Sequence, residues 1–117
     1  MRTPYDRLKR RADFVRVTRA RQSSAASGLV LQAAAQQAAG NPLRVGITAS
    51  RKVGNAVLRN RAKRRLRAVA EQVMPRHAQQ GHDYVMIARH NTAIRPFDEL
   101  IKDLESALKR LKVWRDG

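Results

Sequence analysis

Residues 44 to 67 read RVGITASRKVGNAVLRNRAKRRLR, and a change of period inside this stretch decides the fold. Val45, Ile47 and Ala49 alternate with Arg44, Gly46, Thr48 and Ser50, the two-residue repeat of a strand over 43–50 with one face turned inward. Gly54-Asn55 then marks a turn, with Asn55 placed to cap a helix. Beyond it Leu58, Ala62, Leu66, Val69 and Val73 step by 4, 4, 3 and 4, the apolar stripe of an amphipathic helix. The spacing predicts helix over 55–74, ended by Pro75, because the residue before a proline is driven out of the helical region.

Outward from this centre the signals are shorter. On the N-terminal side, Phe14 and Val17 share a face of a short helix that starts near Arg11. Gln22 to Ser27 reads as a connection, and 28–33 as a strand. Gly40-Asn41-Pro42 predicts a turn that folds this strand back on 43–50 as a hairpin, and the Ala/Gln run at 33–39 is compatible with helix or with a strand end. On the C-terminal side, His77 to Asp83 is a polar loop and Tyr84 to Ala88 a buried strand. Pro96 opens a last helix with Phe97, Ile101, Leu104, Leu108 and Leu111 along its inner face. The order is helix, strands, basic helix, strand, helix: an α+β chain, expected as a small two-layer sandwich. One domain over 1–117 is expected, with 1–10 and 112–117 loose.

Charge narrows the function. Lys and Arg total 25 against 9 Asp and Glu, a net charge of +16, which calls for a polyanionic partner. Nucleic acid leads, ahead of an anionic membrane surface. Cysteine is absent, which removes disulfides and thiolate metal sites and fits a reducing, cytoplasmic setting. No apolar run reaches membrane-spanning length. From Arg59 to Arg67 six of nine positions are basic, and no Asp or Glu occurs between residues 14 and 70 to pair with them. Such a face carries like-charge repulsion at each helical turn, which a phosphate backbone would reverse.

A protein-borne catalytic centre is hard to assemble. His77, His82 and His90 lie in or beside loops without metal-ligand spacing. Asp98, Glu99, Asp103 and Glu105 are explained by helix pairing and dipole compensation. Thr48 and Ser50 have no base in view, and Gly46 and Gly54 form no phosphate-loop pattern.

The ordered run Arg51-Lys52-Val53-Gly54-Asn55-Ala56-Val57-Leu58-Arg59-Asn60-Arg61-Ala62-Lys63-Arg64-Arg65-Leu66-Arg67 resembles the signature of the protein subunit of bacterial ribonuclease P. Leu8-Lys9 to Asp13-Phe14, Arg44-Val45-Gly46 and Asp83 to Arg89 extend the resemblance over most of the chain. It implies a β-α-β crossover of left-handed sense, where the general rule gives the right-handed one. It implies a catalytic RNA as partner, holding the active site and the Mg²⁺, with no metal on the protein, and removal of the 5′ leader from precursor tRNA. Arg51, Lys52, Asn55, Arg59, Asn60, Arg61, Lys63, Arg64, Arg65 and Arg67 would then meet RNA. Phe14, Thr18 and Gln32 would line a cleft for the single-stranded leader, with Thr18 and Gln32 standing where some relatives carry aromatic rings. The free protein is expected to be monomeric. A ribosomal-type RNA-binding protein shares the size and charge. A DNA-binding module and a stand-alone nuclease are further alternatives.

Overall fold

The computed structural model describes residues 5–37 and 42–116. In chain order it contains β1 (Tyr5–Arg7), α1 (Arg11–Arg19), β2 (Gln22–Ala25), β3 (Leu29–Ala35), β4 (Leu43–Thr48), a 3₁₀ turn (Arg51–Val53), α2 (Ala56–His77), β5 (His82–Ala88) and α3 (Phe97–Arg110). The strands form one sheet in the order β1-β4-β5-β3-β2. No helix among the described residues is long and apolar enough to cross a membrane.

Alternation along the central strands sorts their side chains between two faces. Leu29, Leu31, Leu43, Val45, Tyr84 and Met86 turn to one face and meet the buried stripes of α2 and α3. This is the main core and the expected two-layer sandwich. Each fully buried Leu or Met here contributes about 1.5–3 kcal/mol. On the other face α1 packs through Val17 and Phe14 against Ala34, Val85 and Leu8, a smaller second cluster.

Several boundaries differ from the sequence reading, each for a physical reason. β3 and β4 are not a hairpin: β5 lies between them, antiparallel to β3 and parallel to β4. The apolar run 84–88 of β5 needs a covered position, which the centre of the sheet supplies. The turn expected at Gly40-Asn41 lies outside the described residues. Gln22–Ala25 is a strand where a connection was expected, paired with β3 in the register Ser24↔Leu31. Its polar sequence carries no alternation because it lies at an edge. Tyr5–Arg7, expected loose, pairs parallel to β4, and Leu8 beyond it is buried; residues 1–4 lie outside the described residues.

α2 does not stop before Pro75 but runs through it to His77. Pro75 costs one backbone bond in the final turns, and the C-terminal tail holds the end in place. The Arg115 N–H donates to the His77 carbonyl at 2.6 Å, Arg115 Nη2 donates to the Pro75 carbonyl at 3.0 Å, and Ala78 bridges to Trp114. The tail expected to be loose is therefore docked, with Val113 buried and Trp114 stacked on His77 at 4.1 Å between ring centroids. Leu58, expected in the core stripe, is 38 % exposed, and the stripe continues instead through Ala70 and Met74. In α3 the buried face centres on Leu100, Leu104 and Leu108, with Phe97, Ile101 and Leu111 at its margin.

Candidate nucleic-acid interface

The basic helix begins from a defined turn. Ser50 Oγ accepts from the Lys52 N–H, 3.3 Å, which shapes the 3₁₀ turn and leaves Arg51 and Lys52 exposed. Gly54 follows at φ +141°, a conformation that side chains resist. Asn55 Oδ1 then accepts from the Leu58 N–H at 2.9 Å and caps α2 as expected. An Asn55 amide spent on the cap retains its N–H₂ as a donor.

Within α2 the cations divide by what they touch. Asn60, Arg61, Arg64 and Arg67 are exposed, and Lys63 is half-buried at the flank. Arg59 donates through Nη1 to the Gly54 carbonyl, 3.1 Å, so one arm holds the turn. Arg65 is turned inward. Its guanidinium donates to the Thr92 carbonyl at 2.5 Å and to the Arg95 carbonyl. It ties α2 to the loop after β5, and burial, followed by the charge of Arg61, lowers its pKa. Of the residues expected to meet RNA, Arg65 is thus an anchor within the fold. Arg65 adjoins Leu66 and lies one turn before Val69 of the apolar stripe, and that position at the stripe's edge is the signal the sequence offers. Among the described residues no α2 cation pairs with a carboxylate; the ion pairs involve Arg16, Arg44 and Arg95.

The second part of the site is the groove between α1 and the sheet. Thr18 Oγ1 donates to Gln32 Oε1 at 3.2 Å, so these two expected cleft residues do meet. Phe14, one helical turn before Thr18 in α1, is half-buried in the small core, its ring over Gly46. A Cβ at Gly46 would lie 2.5 Å from two carbons of that ring, so the close approach requires glycine.

Asp83 fixes the groove, and the sequence reading left it in a loop. Its carboxylate is fully buried in β5 and accepts from Arg44 Nε and Nη2 at 2.9 and 2.7 Å, from Gln36 at 3.0 Å, and from Arg16 of α1. Burial alone would raise the Asp83 pKa; the Arg44 and Gln36 hydrogen bonds and the Arg44 and Arg16 charges outweigh it and hold it below the usual value. Arg16 and Arg44 are thereby committed to the fold. A second buried carboxylate, Asp103, accepts from the Gly28 N–H at 3.0 Å and from Arg95 at 2.7 Å. Among the described residues no group of three or more His, Cys, Asp or Glu comes together to hold a metal ion.

The family model described as Ribonuclease P matches residues 3–112. The chain belongs to the ribonuclease P protein family. It is 54% identical over 109 residues to the ribonuclease P protein component of Paramagnetospirillum magneticum, covering 91% of this chain and 82% of that one. With the Ruegeria pomeroyi component it shares 49% identity over 105 residues, 89% of this chain and 84% of the relative. Among solved structures, the Staphylococcus aureus RNase P protein superposes with a TM-score of 0.75 at 33% identity, covering 93% of this chain and 97% of that one. The Thermotoga maritima RNase P protein gives a TM-score of 0.75 at 27% identity, covering 90% and 96%. In this family member Arg51, Lys52, Asn60, Arg61, Arg64 and Arg67 are the exposed part of the basic signature, while Asn55, Arg59 and Arg65 also build the helix that presents it.

Proposed function

We propose that this protein binds a catalytic RNA and the 5′ leader of precursor tRNA, and that the assembled ribonucleoprotein removes the leader. The observation that carries the reading is the unpaired cationic face of α2, with Asn60, Arg61, Arg64 and Arg67 exposed and no carboxylate partner among the described residues. Arg offers phosphate a planar fork of donors and Asn60 both a donor and an acceptor, suited to a folded RNA backbone. Thr18 and Gln32 offer hydroxyl and amide groups to a single strand in the groove, in place of a stacking platform. Each missing aromatic ring gives up about 1–3 kcal/mol of base stacking, so leader contact here is polar and electrostatic.

Catalysis in this reading belongs to the RNA, which supplies the active site and the Mg²⁺ chemistry. The two buried carboxylates support that division, because Asp83 and Asp103 are already occupied by arginines and backbone or amide donors. The protein's part is to neutralise phosphates that the RNA alone would need Mg²⁺ to screen. A net charge of +16 also opposes self-association, so the free protein is a monomer in this account. A Mg²⁺ titration of precursor cleavage tests it. The protein should shift the curve to lower Mg²⁺; superimposable curves with and without protein would overturn the reading.

A further inference from the structure

Helix α1 faces two ways. Val17 is fully buried against the sheet, with Phe14 beside it in the small core. At about 100° per residue, Ala12, Val15 and Arg19 fall on the opposite side, and all three are exposed. Together with Arg11 and Arg16 they line a shallow hollow of about 500 Å³ on the outer face of the helix. None of the residues assigned to RNA above lines it.

This face is not what helix stability alone would select. Arg11 opens α1, where the helix dipole disfavours a cation. Val15 is β-branched and 36 % exposed in the middle of a nine-residue helix, a position that favours a straight side chain. Among the described residues neither Arg11 nor Arg19 pairs with a carboxylate. Arg16 is committed to Asp83 and to the Ala35 carbonyl, the latter at 3.1 Å, so it contributes its aliphatic stem here. Ala12 and Val15 thus form a carbon floor between two guanidinium groups, which leave the helix about 12 Å apart along its axis.

The possible partners meet this pattern differently. A phosphate backbone would engage the cations and leave the floor unmatched, since no aromatic ring and no uncharged polar side chain lines the hollow for a base. A bilayer needs a wider apolar face than one valine and one alanine supply. A second copy of the chain brings another net charge of +16. An acidic amphipathic helix matches both parts: an apolar side chain covers Val15, and carboxylates two turns apart meet Arg11 and Arg19.

We propose that the outer face of α1 docks an acidic amphipathic helix of a partner protein, its apolar side chain over Val15 and its carboxylates on Arg11 and Arg19. A contact of this size belongs to the transient class. It goes beyond the RNA-binding reading and uses a different face of the molecule.

The test is an NMR titration of the full-length, amide-labelled protein at about 0.15 M salt, where diffuse attraction is screened. The probe is a synthetic peptide of Glu, Leu and Ala about four helical turns long, with Leu along one face and Glu on either side of it. A scrambled peptide of the same composition is the control. The amphipathic peptide should shift the Ala12, Val15 and Arg19 amide signals saturably, leave Asn60 and Arg61 in place, and bind more tightly than the scrambled one. Val15→Asn keeps every charge and should weaken it by about five- to tenfold, the size of one uncovered valine contact. Arg19→Ala should weaken it by about threefold, as for an exposed ion pair. Binding should persist on the protein assembled with its catalytic RNA, and Val15→Asn should assist precursor cleavage as the wild type does. Failure of the docking proposal therefore leaves the RNA-binding reading standing. An unmoved Val15, equal binding by the scrambled peptide, or an unaltered affinity in Val15→Asn overturns the inference. Displacement of the peptide by the catalytic RNA also overturns it and assigns the face to RNA.

Discussion

Arg44 holds Asp83 with two nitrogens of one guanidinium, Nε at 2.9 Å and Nη2 at 2.7 Å, across neighbouring parallel strands. Arg16 of α1 reaches the same carboxylate, so a single buried charge sets where α1 lies over the sheet. Arg44 also approaches Asp13 of α1 at 3.5 Å. The groove that contains Thr18 and Gln32 inherits its width from this cluster.

Asp83→Asn should lower stability by about 2–3 kcal/mol. Breaking a buried pair costs more, but the Arg16 and Arg44 side chains are 27% and 32% exposed and water compensates them in part. The Asp83 carboxyl is held below the ordinary value of about 3.9. Its contribution is complete above that pH and is lost as pH falls through the folded-state pKa. Urea midpoints measured from neutral to acid pH should fall more steeply for the wild type than for Asp83→Asn. Parallel curves would show that Asp83 carries no such linkage.

Arg61 and Arg65 lie one helical turn apart and should behave as opposites. Arg61→Ala should leave the stability within about 0.5 kcal/mol and reduce the salt slope of RNA binding by about 1. Arg65→Ala should cost about 1–3 kcal/mol by freeing two backbone carbonyls, with the salt slope of the folded fraction retained. Thermal melts paired with binding at several salt concentrations separate the two. An unchanged melt for Arg65→Ala would contradict the assignment.

Trp114 is the single tryptophan, which makes tail docking visible. It stacks on His77 at 5° between planes, and Lys109 Nζ lies 4.5 Å from its ring centroid. Trp114→Ala should cost about 1–2 kcal/mol, the sum of one aromatic pair and one cation–π contact. In the wild type, tryptophan emission should change in the same cooperative transition as the helical signal. An emission change that precedes unfolding would mean the tail detaches alone.

The elements with a strong period were legible in the sequence: α1, the β4–α2–β5 unit and α3 follow from spacing alone, as does the Asn55 cap. What escaped was fixed by partners remote in the chain. β1 and β2 are polar edge strands, and only β4 and β3 beside them make them strands. Helix α2 passes Pro75 because residues 113–115 hold its end. Asp83 read as loop polarity, since nothing local reveals that Arg16, Gln36 and Arg44 converge on it. In the site, the cationic run was plain, but the split between exposed Arg61 and inward Arg65 depends on the loop at Thr92 and Arg95.

The most direct measurement is cleavage of a 5′-extended precursor tRNA by the matching catalytic RNA at low Mg²⁺, with wild-type protein and with the Arg61→Ala/Arg64→Ala double variant. The wild type should restore cleavage at the mature 5′ end, and the double variant, melting as the wild type does, should lose that effect. A folded double variant that assists cleavage as well as the wild type would contradict the role of the α2 face. A wild-type protein that binds the RNA and never assists cleavage would contradict the account as a whole.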